Sequence, residues 1–288
     1  MRRLLLLFLL LWLCAPPAAA AVYTGDQPPK ADWYQRPLLR LTVFDCGQND
    51  CMLLQAGGQS MMIDGGSATW HEKLYAALDT RGLKHLKYLL NTHYHEDHLG
   101  GLYQLIKSGI TADEYLHPYA PSALKKSSLH ADTISLAASL GIPTRQLQNG
   151  EELLLGEAVI TVYRYEEGRG INGKSMIEHV RFGNATMLLT ADIIGVTQHY
   201  FATALPKDVL KVDVLKAPHH GITPLVKAFL TAASPAVEIV TSGAQAVPRT
   251  AIQAQANGIQ AFFSGDGTVV LETDGDDWYI QQSPNNLW

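Results

Sequence analysis

Positive charge is scarce in this chain. Its 288 residues carry 22 Lys and Arg against 27 Asp and Glu, a formal net charge of −5. Tight nonspecific binding of nucleic acid needs many cations on phosphates, so no strong nucleic-acid binding is expected; cleavage of a small phosphodiester is not excluded. Long hydrophobic runs are scarce too. Leu4–Cys14 stands alone, and it falls short of the ~20 residues that cross a bilayer. No other segment is apolar enough to do so. Cysteine is rare, three residues in all. The rest of the chain has no obvious internal repeat and no low-complexity stretch.

The single apolar run has a specific context. Arg2-Arg3 precede it and Pro16-Pro17-Ala18-Ala19-Ala20-Ala21 follow, the order of basic, apolar and small-residue regions in a secretory signal peptide. Bulky Leu13 before Cys14 speaks against a lipid anchor there. The expected division is a signal peptide over 1–20, a leader or linker over 21–37 and one catalytic domain over 38–282, in a protein exported to the periplasm or the outside, with no membrane contact beyond the signal peptide. Loss of Arg2 and Arg3 takes the formal charge from −5 to −7. It also leaves only Cys46 and Cys51, which flank Gly47-Gln48-Asn49-Asp50 like the two sides of a hairpin loop. In an oxidising compartment they can bridge; as two small buried hydrophobes they need not.

From Leu38 the pattern is regular. Leu39–Asp45, Met52–Gln55 and Met61–Asp64 read as short strands between turn residues, followed by a helix whose buried face carries Trp70, Leu74, Ala77 and Leu78. Lys87–Asn91 is a further strand and Leu99–Lys107 a helix. The alternation continues with a helix near Ser122–Leu140, strands at Glu157–Tyr163, Ser175–Phe182, Thr186–Thr190, Val212–Ala217, Val237–Thr241, Ala261–Ser264 and Val269–Glu272, and helices near Pro224–Ala232 and Arg249–Ala256. Strands mixed with helices throughout indicate the α/β class.

Five of the eleven histidines fall in two places, Asn91-Thr92-His93-Tyr94-His95-Glu96-Asp97-His98 and the pair His219-His220. Neutral imidazole and carboxylate suit a borderline divalent metal such as zinc. Burying four such groups together without a metal would leave them poorly satisfied. His93 and His95, two apart in an extended loop, can both point inward. Asp97 and His98, adjacent at a helix start, aim differently and can serve a second metal. Asp64, Asp192 and His219-His220 each follow a short apolar run, so the strand ends are expected to converge on one rim. Gly100 and Gly101 let the helix lie close to the sheet. His71, His85, His117, His130, His179 and His199 read as packed or surface residues.

Thr92-His93-Tyr94-His95-Glu96-Asp97-His98 resembles the T-H-x-H-x-D-H signature of the metallo-β-lactamase fold superfamily. Within it, the chain is most similar to the metallo-hydrolase domain of ComEC-type competence proteins and its secreted stand-alone relatives. Phe44-Asp45-Cys46-Gly47-Gln48-Asn49-Asp50, Ile63-Asp64-Gly65-Gly66, Leu188-Leu189-Thr190-Ala191-Asp192 and Leu215-Lys216-Ala217-Pro218-His219-His220-Gly221 carry that likeness in order. The resemblance implies a four-layer αβ/βα sandwich and two divalent metals, zinc or manganese. It places His93 and His95 on one metal and Asp97, His98 and His219 on the other, with Asp192 bridging. His220 is either the ligand in place of His219 or the proton donor to the leaving group. Asp64 would accept a histidine N–H and fix the ring; Asp50 reaches the same rim without an assigned role. The pattern departs from the family at Ile171-Asn172-Gly173-Lys174, where β-lactamases place a third histidine; at Ala191, where glycine is usual; and at Gln245-Ala246-Val247-Pro248, in place of Tyr-Gly-His-Pro.

The expected activity is two-metal hydrolysis by a metal-bound hydroxide, with Asp192 positioning the metals and Asp97 orienting the nucleophile. The expected substrate is a small or flexible phosphodiester, with Lys174, Lys216 and Arg249 available to supply local positive potential. The alternatives are a lactone or thioester hydrolase of the same fold and a noncatalytic binding module with a degraded site, which would hold fewer than two metals.

Overall fold

The computed structural model describes residues 20–120, 122 and 126–283. The proposed signal peptide falls almost wholly on residues 1–19, outside the described residues.

Alternating apolar residues build two sheets. The first half of the chain forms β1 (Val22–Thr24), β2 (Leu39–Val43), β3 (Cys51–Ala56), β4 (Gln59–Gly65), β5 (His85–Leu90), β6 (Thr111–His117) and β7 (Thr144–Gln146). The second half forms β8 (Glu152–Leu155), β9 (Ala158–Arg164), β10 (Met176–Phe182), β11 (Ala185–Leu189), β12 (Val214–Lys216), β13 (Val237–Val240) and β14 (Gln260–Phe263). The hairpin β15 (Thr268–Thr273) and β16 (Trp278–Ser283) then returns to the first sheet. The strand orders are β1-β16-β15-β2-β3-β4-β5-β6-β7 and β14-β13-β12-β11-β10-β9-β8.

The pleat sends successive side chains to opposite faces. On β3 and β4, Met52, Leu54, Met61 and Ile63 face the other sheet, where they meet Ile160, Val180 and Met187 in the largest core cluster. Leu53 and Met62 face outward onto helices α1 (His71–Thr80), α2 (Glu96–Lys107) and α3 (Ser128–Ser139). The outer face of the second sheet, with Ile177, Leu188 and Leu215, packs in the same way against α4 (Gly195–Ala204), α5 (Lys207–Leu210), α6 (Lys227–Ala233) and α7 (Pro248–Ala256). The result is four layers, αβ/βα, as the resemblance implies.

Two local features differ from the sequence reading, and one open choice is decided. Residues 22–36 are not a loose leader. Val22–Thr24 pairs in parallel with β16, and Trp33 is fully buried with its indole N–H donating to Glu272 Oε2 at 3.0 Å. A three-residue strand has too little periodicity to stand out from a proline-rich context. Helix α2 begins at Glu96 rather than Leu99, so Asp97 and His98 lie inside its first turn. Cys46 and Cys51 are both buried and unbridged, the second of the two readings.

Gly100 and Gly101 do what their position suggests. The Gly101 N–H donates to Gly66 O at 2.8 Å, and a Cβ at Gly101 would overlap the carbonyl of Gly65. Backbone cannot yield there as a flexible side chain could. Gly101→Ala is therefore expected to cost about 2 kcal/mol, the range of overpacked cores, and to weaken metal binding because α2 carries Asp97 and His98. Denaturant unfolding and zinc titration of the variant check both effects.

Candidate metal centre

The centre is assembled from turns in which the backbone is forced into an uncommon region. Of five non-glycine residues with positive φ among the described residues, four are here: Asp64 (52°), Ala191 (42°), His219 (51°) and His220 (54°). Such residues carry local strain and persist only where the surroundings over-determine them. Ala191 stands where glycine is usual in the family and holds a glycine-like conformation.

Asp64 ends β4 fully buried and is saturated by donors. Its Oδ1 accepts from the Thr92 N–H at 2.8 Å and the Asn91 amide at 3.0 Å, and its Oδ2 accepts from the Thr92 hydroxyl at 2.6 Å. His98 Nδ1 lies 2.7 Å from the same Oδ2. A proton on Nδ1 leaves His98 Nε2 free to face Asp192. This matches the expectation that Asp64 fixes a ligand ring. Asp64→Asn is accordingly expected to lower zinc affinity about 10–100-fold while the chain stays folded, as competition with a chromophoric chelator would read out.

Around Asp192 the side chains sort into two groups, one on each carboxylate oxygen. Oδ1 lies 3.3 Å from His98 Nε2 and 3.5 Å from His220 Nε2, and the latter is 3.2 Å from Asp97 Oδ2. Oδ2 lies 3.7 Å from His93 Nε2 and 3.7 Å from His219 Nε2, and His93 Nε2 is 3.1 Å from His95 Nδ1. All six residues named from the sequence are therefore brought together, and His220 joins them. The pairing of the last two histidines is exchanged. His220, not His219, stands with Asp97 and His98; His219 stands on the His93 side, with its Nε2 3.2 Å from Asn172 Nδ2. Consecutive left-handed residues turn the two rings apart. Asn172, one of the four residues that stand where β-lactamases place a third histidine, thus contacts the histidine found on that side.

The donor set fits divalent cations. His98 Nε2, His220 Nε2 and Asp192 Oδ1 are buried without hydrogen-bond partners, although they face one another. Lone pairs converging at this distance repel unless a proton or a metal lies among them. Burial pushes the His98 pKa down, but Asp192, Asp64 and Asp50 outweigh it and hold the ring's pKa well above the ordinary imidazole value. The field that stabilises a proton there also stabilises a cation. Burial and the neighbouring His98 keep His93 neutral, the form that ligates. Burial would raise Asp192, yet His98, His220 and His93 hold it well below the usual carboxylate range.

Other calls change. Lys216 is not available to a substrate: it is fully buried, its ammonium paired with Asp50 and donating to Ala191 O at 3.0 Å. An apolar run ending in lysine gives no sign of which way the lysine turns. Thr241, which carries no motif, directly follows β13 beside the site and donates to Asp50 Oδ1 at 2.6 Å; its only signal is its place at a strand end. His117, His130 and His179 are packed, as expected.

Comparisons with known proteins agree with this fold. Over 222 residues the chain is 24% identical to ComE operon protein 3 of Bacillus subtilis, covering 70% of this chain and 28% of that protein. Over 134 residues it is 28% identical to ribonuclease Z of Archaeoglobus fulgidus, covering 46% and 43%. The chain thus spans less than half the length of either relative. The metallo-beta-lactamase fold protein YhfI from Bacillus subtilis has a similar structure, with a TM-score of 0.53 and 16% identity over 83% of this chain and all of that one. The profile of the metallo-beta-lactamase superfamily matches residues 44–241, from the strand end before Asp50 to Thr241. With the four layers, the two ligand groups on Asp192 and that match over most of its length, the chain belongs to the metallo-beta-lactamase superfamily.

Proposed function

We propose that this protein is an exported, metal-dependent phosphodiesterase acting on small or flexible phosphodiesters. The carrying observation is the division of ligands between the two oxygens of Asp192, which offers adjacent places for two cations. Bound there, divalent cations, zinc or manganese, supply Lewis acidity toward water and the ester oxygen. The residues at the mouth do the rest. The Asp97 carboxylate is partly exposed, with 38% of its side chain accessible, and it can orient a water. Burial would raise Asp97, but the His220 and His98 rings hold it ionised, below the ordinary value. His219 is half-buried, and burial lowers its pKa, so it meets the mouth as a neutral ring. His220 is buried, with its Nδ1 beside Asp50 and its Nε2 beside Asp97 and Asp192, so of its two sequence-based roles the ligand is favoured over the proton donor.

Three observations support a phosphodiester. One relative is named a ribonuclease. The third histidine of β-lactamases is absent, with Ile171-Asn172-Gly173-Lys174 in its place. The acidic total charge disfavours tracking along a long polyanion. The protein should turn over a bis-aryl phosphodiester in a chelator-sensitive manner and leave a cephalosporin untouched. Chelator-sensitive turnover of the cephalosporin or of a lactone, with none of the phosphodiester, would overturn the substrate. Fewer than two bound metals, with no turnover of any ester, would indicate a noncatalytic binding module with a degraded site. Export rests on the pattern over residues 2–21, and the N-terminal sequence of protein recovered outside the cytoplasm tests it.

A further inference from the structure

His98 and His220 are built alike, and the second of them lacks an assigned anchor. Each presents Nε2 to Asp192 Oδ1. His98 rests its Nδ1 on Asp64. His220 has Nδ1 at 3.2 Å from Asp50 Oδ1 and 3.1 Å from the Thr241 hydroxyl, and that hydroxyl donates to the same Asp50 oxygen at 2.6 Å. Asp50 Oδ2 faces the Lys216 ammonium. Asp50 also lies near enough to His98, His220 and Asp192 to be a metal ligand itself.

We infer that Asp50 is a positioning residue rather than a ligand: it holds His220 through Nδ1 and, through Lys216, ties that histidine to the corner that carries Asp192. Three features argue for this. One oxygen is taken by two donors and the other by a buried ammonium, so a cation would have to displace Lys216. Lys216 also donates to the carbonyl of Ala191, so a single ammonium links Asp50 to the strained corner before Asp192. The Asp50 N–H donates to Asp97 O at 3.2 Å, and the Asp50 carbonyl accepts from the Gly66 N–H at 2.7 Å. The first loop is thereby pinned to the start of α2 and the end of β4. A carboxylate that sets the tautomer of a ligand histidine makes it more basic toward the metal.

The inference rests on the metal centre and not on the substrate, so it is read by metal binding and stands or falls separately from any hydrolysis assay. Zinc affinities of the two sites are measured by stepwise competition, and the cobalt-substituted protein is examined by visible absorption. Asp50→Asn should still bind two metals per chain. One site should weaken about 10–100-fold while the other keeps its affinity. The cobalt bands should shift in energy without losing intensity, since the number of ligands is unchanged. Asp50→Asn also strands the Lys216 ammonium, so Thr241→Val serves as a second variant; it removes one hydrogen bond to Asp50 and should weaken the same site about 2–10-fold. Unchanged affinity in both variants overturns the inference, as does equal weakening of both sites. So does loss of one whole metal with the same change in cobalt bands as His220→Ala, which would make Asp50 a ligand.

Discussion

Asp192→Asn should lose both metals at once: fewer than one zinc per chain after dialysis against buffered zinc, and hydrolysis reduced by about a thousandfold. The size follows from the loss of several kcal/mol of metal-based stabilisation, at about 1.4 kcal/mol per factor of ten. Both losses follow from one carboxylate. Oδ1 faces His98 and His220, and Oδ2 faces His93 and His219, so neither group of ligands is complete without it. An amide keeps the shape but offers a single oxygen and no charge. Replacing His95 should weaken one site, whereas Asp192→Asn should weaken two. Metal analysis by mass spectrometry and steady-state rates on one preparation decide it; two tightly held metals in Asp192→Asn would refute a role for Asp192 in both groups of ligands.

Stability should fall as pH rises from 4.5 to 7, and Glu238→Gln should remove part of that dependence, the rest lying with groups such as Glu178, which burial also pushes up. Glu238 is fully buried on the helix-facing side of β13, in register with Leu215 and Ala261, and neither carboxylate oxygen has a hydrogen-bond partner. Burial alone pushes its pKa up to about 7. A carboxyl whose folded pKa lies above its unfolded value binds its proton more tightly in the fold. Its contribution is fully present below about pH 4.5 and is lost as pH climbs through the folded value. A displacement of about two and a half pKa units corresponds to about 3 kcal/mol. Above pH 7 the charged carboxylate must sit beside the apolar Leu215 and Ala261 of the neighbouring strands. Denaturant unfolding of the metal-free protein at pH 5 and pH 8 gives the test. Glu238→Gln should be the more stable protein at pH 8, and a wild-type stability that rises over the same interval would refute the assignment.

Much of this protein was legible in its sequence. The strands carrying the centre are short apolar runs that stop at a polar residue or a glycine, and that pattern located Asp64, Asp192 and His219-His220. The spacing of His93, His95, Asp97 and His98 carried the metal chemistry, because a two-residue step in an extended loop and a helical first turn aim side chains in different directions. What was not legible has a common cause. Val22–Thr24 and Trp33 look like linker until β16 and Glu272 are beside them. Glu238 looks like an ordinary strand residue until the helices cover it.

The sequence by itself determined which residues make the centre and the class of fold that brings them together, since periodicity and ligand spacing are local properties of the chain. Only the tertiary structure decided how they divide. Whether His219 or His220 joins Asp97 depends on two consecutive left-handed residues and on Asp50, and whether Lys216 meets a substrate or a carboxylate depends on the same loop. Asp50 in turn is held by Thr241, 191 residues further on. Side-chain direction at such corners is set by partners distant in sequence, and no local pattern records them.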